Sequence, residues 1–183
     1  NCVACHQATG KGRPAKGFGP FGATGLTVSR LGFGTYRVGQ REAEHREALI
    51  KALRMGCNLI DSSTNYMDGE SEQLVGSVLW ELIDAGELAR EEVIVVSKIG
   101  YVQLTQSLDR LGLATLDVCL LHNPEYFLSH ATRLGSAAGP DLPALRDQFY
   151  QRLRSAFEYF EAQVQAGRLR AYGVSSNTST AAP

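Results

Sequence analysis

The sequence is short of several things, and each shortage removes a class of protein. It has no surplus of charge: 18 Lys and Arg stand against 19 Asp and Glu in 183 residues. No basic surface is therefore available to hold a polyanion, which argues against nucleic acid as a partner. No apolar run approaches the roughly 20 residues that a membrane-crossing helix needs. Four cysteines are too few to staple a disulfide scaffold, and two of them, Cys57 and Cys119, sit within apolar surroundings. There is no P-loop, no nucleophile elbow and no His-Glu-x-x-His metal helix. Asn1 is not an initiator methionine, so the true N-terminus is expected upstream.

What is present is ordinary globular material, 44% hydrophobic and 20% charged, at a length suited to one domain with a real core. Residues 1–20 are rich in Gly and Lys/Arg and lack apolar periodicity, so they read as loop. From Phe21 onward, short apolar runs alternate with stretches of helical period, without internal repeats. Leu49, Ala52, Leu53 and Met55 crowd one side of a helix over 42–55, which Gly56 stops in a left-handed turn. Leu74, Val75, Val78, Leu79, Leu82 and Ile83 mark a second helix over 71–85. Leu145, Phe149, Leu153, Ala156, Phe160 and Val164 mark a third over 143–166, started by Asp141 or Pro143. Strands are expected over 31–35, 58–61, 93–96, 118–121 and 169–174. Strands alternating with helices require a parallel sheet, and branched runs such as Val93-Ile94-Val95-Val96 imply burial on both faces.

The residues that end these runs carry the chemistry. Leu59-Ile60 ends in Asp61, the run to Val96 in Ser97-Lys98, the run to Leu121 in His122, and the run to Val174 in Ser175-Ser176-Asn177. In parallel α/β folds the C-terminal strand ends share one face, where ligands and catalytic groups collect. Taken singly, each of these residues also reads as a solvated loop start, a turn former or a packed histidine. Taken together they predict an acid, a base, an imidazole and a serine around one mouth.

Several stretches resemble the aldo-keto reductases. Residues 21–35 are similar to the family's first strand and its hairpin. Cys57-Asn58-Leu59-Ile60-Asp61-Ser62-Ser63-Thr64-Asn65-Tyr66, followed by Ser71-Glu72 and Val75-Gly76, resembles its most diagnostic signature. Ser97-Lys98, Ser107-Leu108-Asp109-Arg110-Leu111, Leu121-His122-Asn123-Pro124 and residues 167–175 resemble its following motifs in order. The resemblance spans about 21–180 and implies a (β/α)8 barrel of TIM type that reduces aldehyde or ketone carbonyls with NADPH. It makes Tyr66 the proton donor. Lys98 becomes the cation that eases phenol ionisation, Asp61 the carboxylate that holds Lys98, and His122 the group that orients the substrate oxygen. It assigns Thr35, Asp61, Ser175, Ser176 and Asn177 to the cofactor. The implied partner is a small carbonyl substrate. The strand end departs from the commoner pattern, in which Asn directly follows the first serine. The chain holds five of eight expected strands, so residues are expected after Pro183, after Lys98 and between Pro20 and Phe21.

Cys2-Val3-Ala4-Cys5-His6 has the spacing of a c-type haem attachment site, with Cys2 and Cys5 as thioether donors and His6 as iron ligand. The continuation Gln7-Ala8-Thr9-Gly10-Lys11-Gly12 resembles class I cytochromes c. Residues 1–20 are thus either a loop or the remnant of a cytochrome module, and 21–183 the barrel-like part. A zinc site on these residues lacks a fourth ligand. Three functions follow: an NADPH-dependent carbonyl reductase, a c-type haem electron-transfer protein fused to a reductase-like domain with its own redox partner, or a non-catalytic NADP(H)-binding barrel. The first and third suit the cytoplasm; covalent haem would place the protein outside it.

Overall fold

A computed structural model describes residues 17–100, 103–128 and 141–177. The described residues open with a hairpin of β1 (Phe18–Pro20) and β2 (Thr27–Ser29), antiparallel with Pro20 opposite Thr27. The Phe21 amide closes its loop onto the Leu26 carbonyl at 2.8 Å. Then follow β3 (Phe33–Gly34), α1 (Ala43–Arg54), β4 (Leu59–Asp61), a 3-10 turn (Tyr66–Gly69), α2 (Glu70–Asp84), β5 (Ile94–Ile99), α3 (Leu104–Leu111), β6 (Leu116–His122), α4 (Leu142–Gln165) and β7 (Leu169–Ser175). Strands β3 to β7 form one parallel sheet in chain order. Strict succession of parallel strands with intervening helices is how a β/α barrel builds its wall.

Strand alternation divides the core in two. Ile60, Val95, Ile99, Cys119, Leu121 and Tyr172 face the helices, where they pack with Leu49, Leu53, Leu74, Val78, Leu111 and Phe160. Leu59, Ile94, Val96, Val118, Leu120 and Ala171 face the other way, into a smaller cluster closed by Phe21, Leu26 and Val28 of the hairpin. Removing a fully buried leucine or phenylalanine from the first cluster forfeits about 1.5–3 kcal/mol of burial. The same parity sends Asp61, Lys98, His122 and Ser175 to the inner face: each lies an even number of residues from Leu59, Val96, Leu120 or Ala171 on its own strand.

The helices begin and end largely where the sequence predicts. Gly56 takes φ +88° after α1, a left-handed conformation that suits glycine. Asp141 and Pro143 both start α4: the Asp141 carboxylate accepts from the Ala144 amide at 3.2 Å, and Pro143 sits in the first turn.

Four expectations need correction. Residues 1–20 read as loop, yet Phe18–Pro20 form β1, because cross-strand pairing with β2 overrides a poor local propensity. Lys98 is not past its strand, since β5 continues to Ile99 and Lys98 pairs with Leu120; an inward ammonium is tolerated there because a carboxylate meets it. The strand expected over 31–35 keeps two residues, Phe33 and Gly34. The α4 stripe is buried only at Ala156 and Phe160, because the sheet meets only the C-terminal half of that long helix. Cys2, Cys5 and His6 lie outside the described residues. Among the described residues no helix is long and apolar enough to cross a membrane, and no group of three metal-ligating side chains forms.

Candidate functional site

The end of β4 is built first. The Thr35 amide donates to the Asp61 carbonyl at 2.9 Å, and the buried Thr35 hydroxyl lies 3.1 Å from that carbonyl and 3.0 Å from Ser62 Oγ. Beyond Asp61 the chain still follows β5: Ser62 N donates to Val96 O at 2.8 Å and Thr64 N to Lys98 O at 3.0 Å. Ser63 Oγ and Thr64 Oγ1 add bonds to the same Lys98 carbonyl. Three residues, Ser62, Ser63 and Thr64, thus anchor the backbone from which Lys98 projects. Past Thr64 the chain turns sharply. Met67 (φ +48°) and Asp68 (φ +55°) are both left-handed, a conformation costing an ordinary residue about 1 kcal/mol or more. This turn carries Tyr66 over the sheet end.

Three of the predicted residues meet closely. Lys98 Nζ lies 2.7 Å from both Asp61 carboxylate oxygens, 2.9 Å from Ser62 O and 3.1 Å from the Tyr66 hydroxyl. The Lys98 side chain is 9% exposed and that of Asp61 41%, so the pair is dry on one side and wet on the other. A desolvated ammonium needs such a partner. The Tyr66 ring stands edge-on to His122 with centroids 6.4 Å apart, and to the exposed Tyr36 at 5.2 Å.

His122 ends β6. Its Nδ1 lies 2.9 Å from Ser175 Oγ at the end of β7, and its Nε2 3.4 Å from Asn123 Nδ2. Burial, then the Lys98 charge, lower its pKa below the ordinary 6.5; Asp61 and Glu125 oppose this without cancelling it. The imidazole is therefore neutral at pH 7, with Ser175 against one nitrogen. Asn123 is buried in a left-handed conformation (φ +46°), and its Oδ1 has no hydrogen-bond partner among the described residues. Ser176 and Asn177 turn elsewhere: Ser176 Oγ donates to Glu125 Oε1 at 2.8 Å and Asn177 Nδ2 to Tyr126 OH at 2.8 Å. The structure thus groups Asp61, Tyr66 and Lys98, sets His122 and Ser175 beside them, keeps Thr35 beneath, and directs Ser176 and Asn177 toward residues 125–126.

Sequence reading assigned no role to Ser62, Ser63, Thr64, Glu72 or Asn123. The serines and threonine sit within the quoted signature, but small polar residues after a strand look like any loop. Only the parallel pairing reveals that Ser63 and Thr64 grip the Lys98 carbonyl, while the Ser62 carbonyl accepts from the Lys98 ammonium.

Comparison with known proteins bears on the family and the fold. The Aldo/keto reductase family model matches residues 30–182. Aldose reductase B of Dictyostelium discoideum is 30% identical over 164 residues, 81% of this chain and 50% of that protein. The NADH-specific methylglyoxal reductase of Escherichia coli K12 is 29% identical over 138 residues, 56% of this chain and 40% of that protein. Among solved structures, an aldo-keto reductase from Bacillus halodurans in its holo form matches with TM-score 0.64 and 25% identity, covering 87% of this chain and 50% of that one. One from Klebsiella pneumoniae, in complex with NADP and acetate, matches with TM-score 0.57 and 27% identity, covering 85% and 48%. The chain spans about half or less of the length of these proteins. Its parallel sheet corresponds to part of their (β/α)8 barrel. Since the family match begins at Arg30, just before β3, and continues past the end of β7, it takes in every strand of that sheet, and this chain belongs to the aldo/keto reductase family.

Proposed function

We propose that the protein reduces aldehyde or ketone carbonyls with a nicotinamide cofactor, NADPH by preference, and that Tyr66 donates the proton. One observation carries the reading: the Lys98 ammonium lies 2.7 Å from both Asp61 oxygens and 3.1 Å from the Tyr66 hydroxyl. Bound reduced nicotinamide supplies a hydride to the carbonyl carbon. Tyr66 gives its phenolic proton to the carbonyl oxygen, and the product is an alcohol. Lys98 stabilises the phenolate left behind, and solvent returns the proton. Asp61 keeps the ammonium charged and aimed. His122, held by Ser175 at Nδ1, orients the oxygen beside Tyr66.

The donor set around β7 suits the cofactor's carboxamide. The Ser175 hydroxyl can both donate and accept, and the buried Asn123 Oδ1 is an acceptor in want of a donor. Ser175, with Ser176 and Asn177, would hold that group; Thr35 acts through the Asp61 end of β4 that it braces. Nothing in the family match, which begins at residue 30, extends to the haem reading of Cys2, Cys5 and His6.

The test is oxidation of NADPH, and in parallel NADH, by the full chain with a panel of aldehydes and ketones. Turnover that Tyr66→Phe abolishes supports the reading. Cofactor binding without turnover on any carbonyl overturns it in favour of a binding barrel.

A further inference from the structure

Tyr66 and Lys98 belong to different elements, yet their 3.1 Å contact is what the proposed chemistry needs. The ladder between β4 and β5 explains how Lys98 is fixed. It does not explain Tyr66, which stands five residues past β4 on a turn with two left-handed residues in succession. A strained turn persists only where its surroundings over-determine it. One tie lies upstream, from Thr64 N to Lys98 O. A second lies downstream, on the opposite face of the sheet from the site. Glu72, in the first turn of α2 and fully buried, accepts from Ser97 Oγ at 2.6 Å through one carboxylate oxygen and from Arg110 Nε at 2.8 Å through the other. Ser97 is itself fully buried and adjoins Lys98 in β5. Arg110 also lies along the end of the turn: a Cβ on Gly69 would sit 3.0–3.2 Å from its Cδ, Nε and Cζ.

We infer that Glu72, Ser97 and Arg110 form a positioning triad that sets the Tyr66–Lys98 distance by clamping the downstream end of the Tyr66 turn to β5, opposite the upstream tie from Thr64 to Lys98. The inference rests on the carbonyl reductase reading. A buried ion pair adds little net stability over apolar residues of the same volume. Unlike apolar packing, though, it is directional: the two oxygens of Glu72 accept from different elements, Ser97 of β5 and Arg110 of α3, so sliding α2 past both strains both bonds at once. The triad touches neither substrate nor cofactor, and acts only through the residues it places.

Steady-state kinetics on the full chain test this. Ser97→Ala removes the tie and leaves the Glu72–Arg110 pair. It is expected to lower kcat roughly tenfold, as expected for a small misplacement of reacting groups, while KM for NADPH stays within about twofold. Ser97→Thr, which restores the hydroxyl, should recover most of the lost kcat. Leu82→Ala, at the far end of α2 and buried in the same core, should lose stability without that drop in kcat. Arg110→Lys keeps the charge but loses the planar fork, and should lower kcat by a few fold. The inference is overturned if Ser97→Ala and Arg110→Lys both retain wild-type kcat, or if Leu82→Ala lowers kcat equally. A wild-type chain that turns over no carbonyl sinks the parent reading; an active wild type whose Ser97→Ala and Arg110→Lys variants are both fully active sinks the triad alone.

Discussion

The two ends of the sheet use the same kinds of groups to opposite effect. At the N-terminal end, Asp117 of β6 is 1% exposed and saturated: Oδ2 accepts from Arg90 at 2.7 Å and from the Val95 amide at 2.9 Å, and Oδ1 accepts from Arg170 at 3.0 Å. Two cations and a backbone amide surround one buried carboxylate. At the C-terminal end, one carboxylate and one cation pair, and the cation keeps a contact for Tyr66. An anion fully met by donors binds elements together. A cation with a ligatable phenol beside it is poised for chemistry. The contrast follows from the strand direction, since strands splay and loops lengthen at the carboxyl ends, leaving room there for a substrate.

The largest expected effect is at the open end. Tyr66→Phe should reduce carbonyl reduction by about 10²–10⁴-fold, the usual share of a general acid, with thermal unfolding unchanged. A comparable loss of fold stability would dissolve the distinction between the two ends. Next comes the closed end: Asp117→Asn should cost about 3 kcal/mol in denaturant unfolding, the low side of the range because the Arg170 side chain is half exposed. Its kcat should remain within about twofold at a permissive temperature. Gly76→Ala probes the layer between the ends. The added Cβ would lie 2.7–2.8 Å from the Leu111 and Arg110 carbonyl oxygens, so α2 and α3 must part, at roughly 1–3 kcal/mol.

A smaller effect is pH-dependent and again belongs to the open end. The folded pKa of His122 lies below 6.5, chiefly through burial and then Lys98. Between that lowered value and 6.5 the unfolded chain binds a proton the folded chain refuses. Stability therefore rises with pH through this window and is lost as pH falls below it. His122→Gln should flatten the acid side of a plot of melting temperature against pH; an unchanged slope would assign the window to another group. Smallest of all, Glu87→Ala breaks the exposed pair with Arg54. It should move neither kcat nor melting temperature measurably, because solvent and salt screen such pairs.

Much of the site was legible because polar residues interrupt buried apolar runs at one strand end after another. Asp61, His122 and Ser175 close β4, β6 and β7, and Lys98 falls one residue short of closing β5. The buried polar residues were not legible. Glu72 and Asp117 are charged, and periodicity sorts charged residues to the surface; only partners distant in the chain make their burial tolerable. Strand β1 escaped notice because three residues near Gly and Pro carry no pattern until β2 lies beside them. The α4 stripe misled in the other direction, since apolar period reports what a helix is able to bury rather than what stands next to it.

By itself the sequence determined the alternation of strands and helices, the parity that sends Asp61, Lys98, His122 and Ser175 to one face, and the stop at Gly56. These follow from local rules: period two, period 3.6, and the conformations each residue tolerates. The tertiary structure alone decided that Lys98 reaches Asp61 and Tyr66 together, that Ser63 and Thr64 grip its carbonyl, and that Glu72 and Asp117 are held inside. Those contacts join residues 22 to 53 positions apart, and no local preference specifies a distance across a folded sheet.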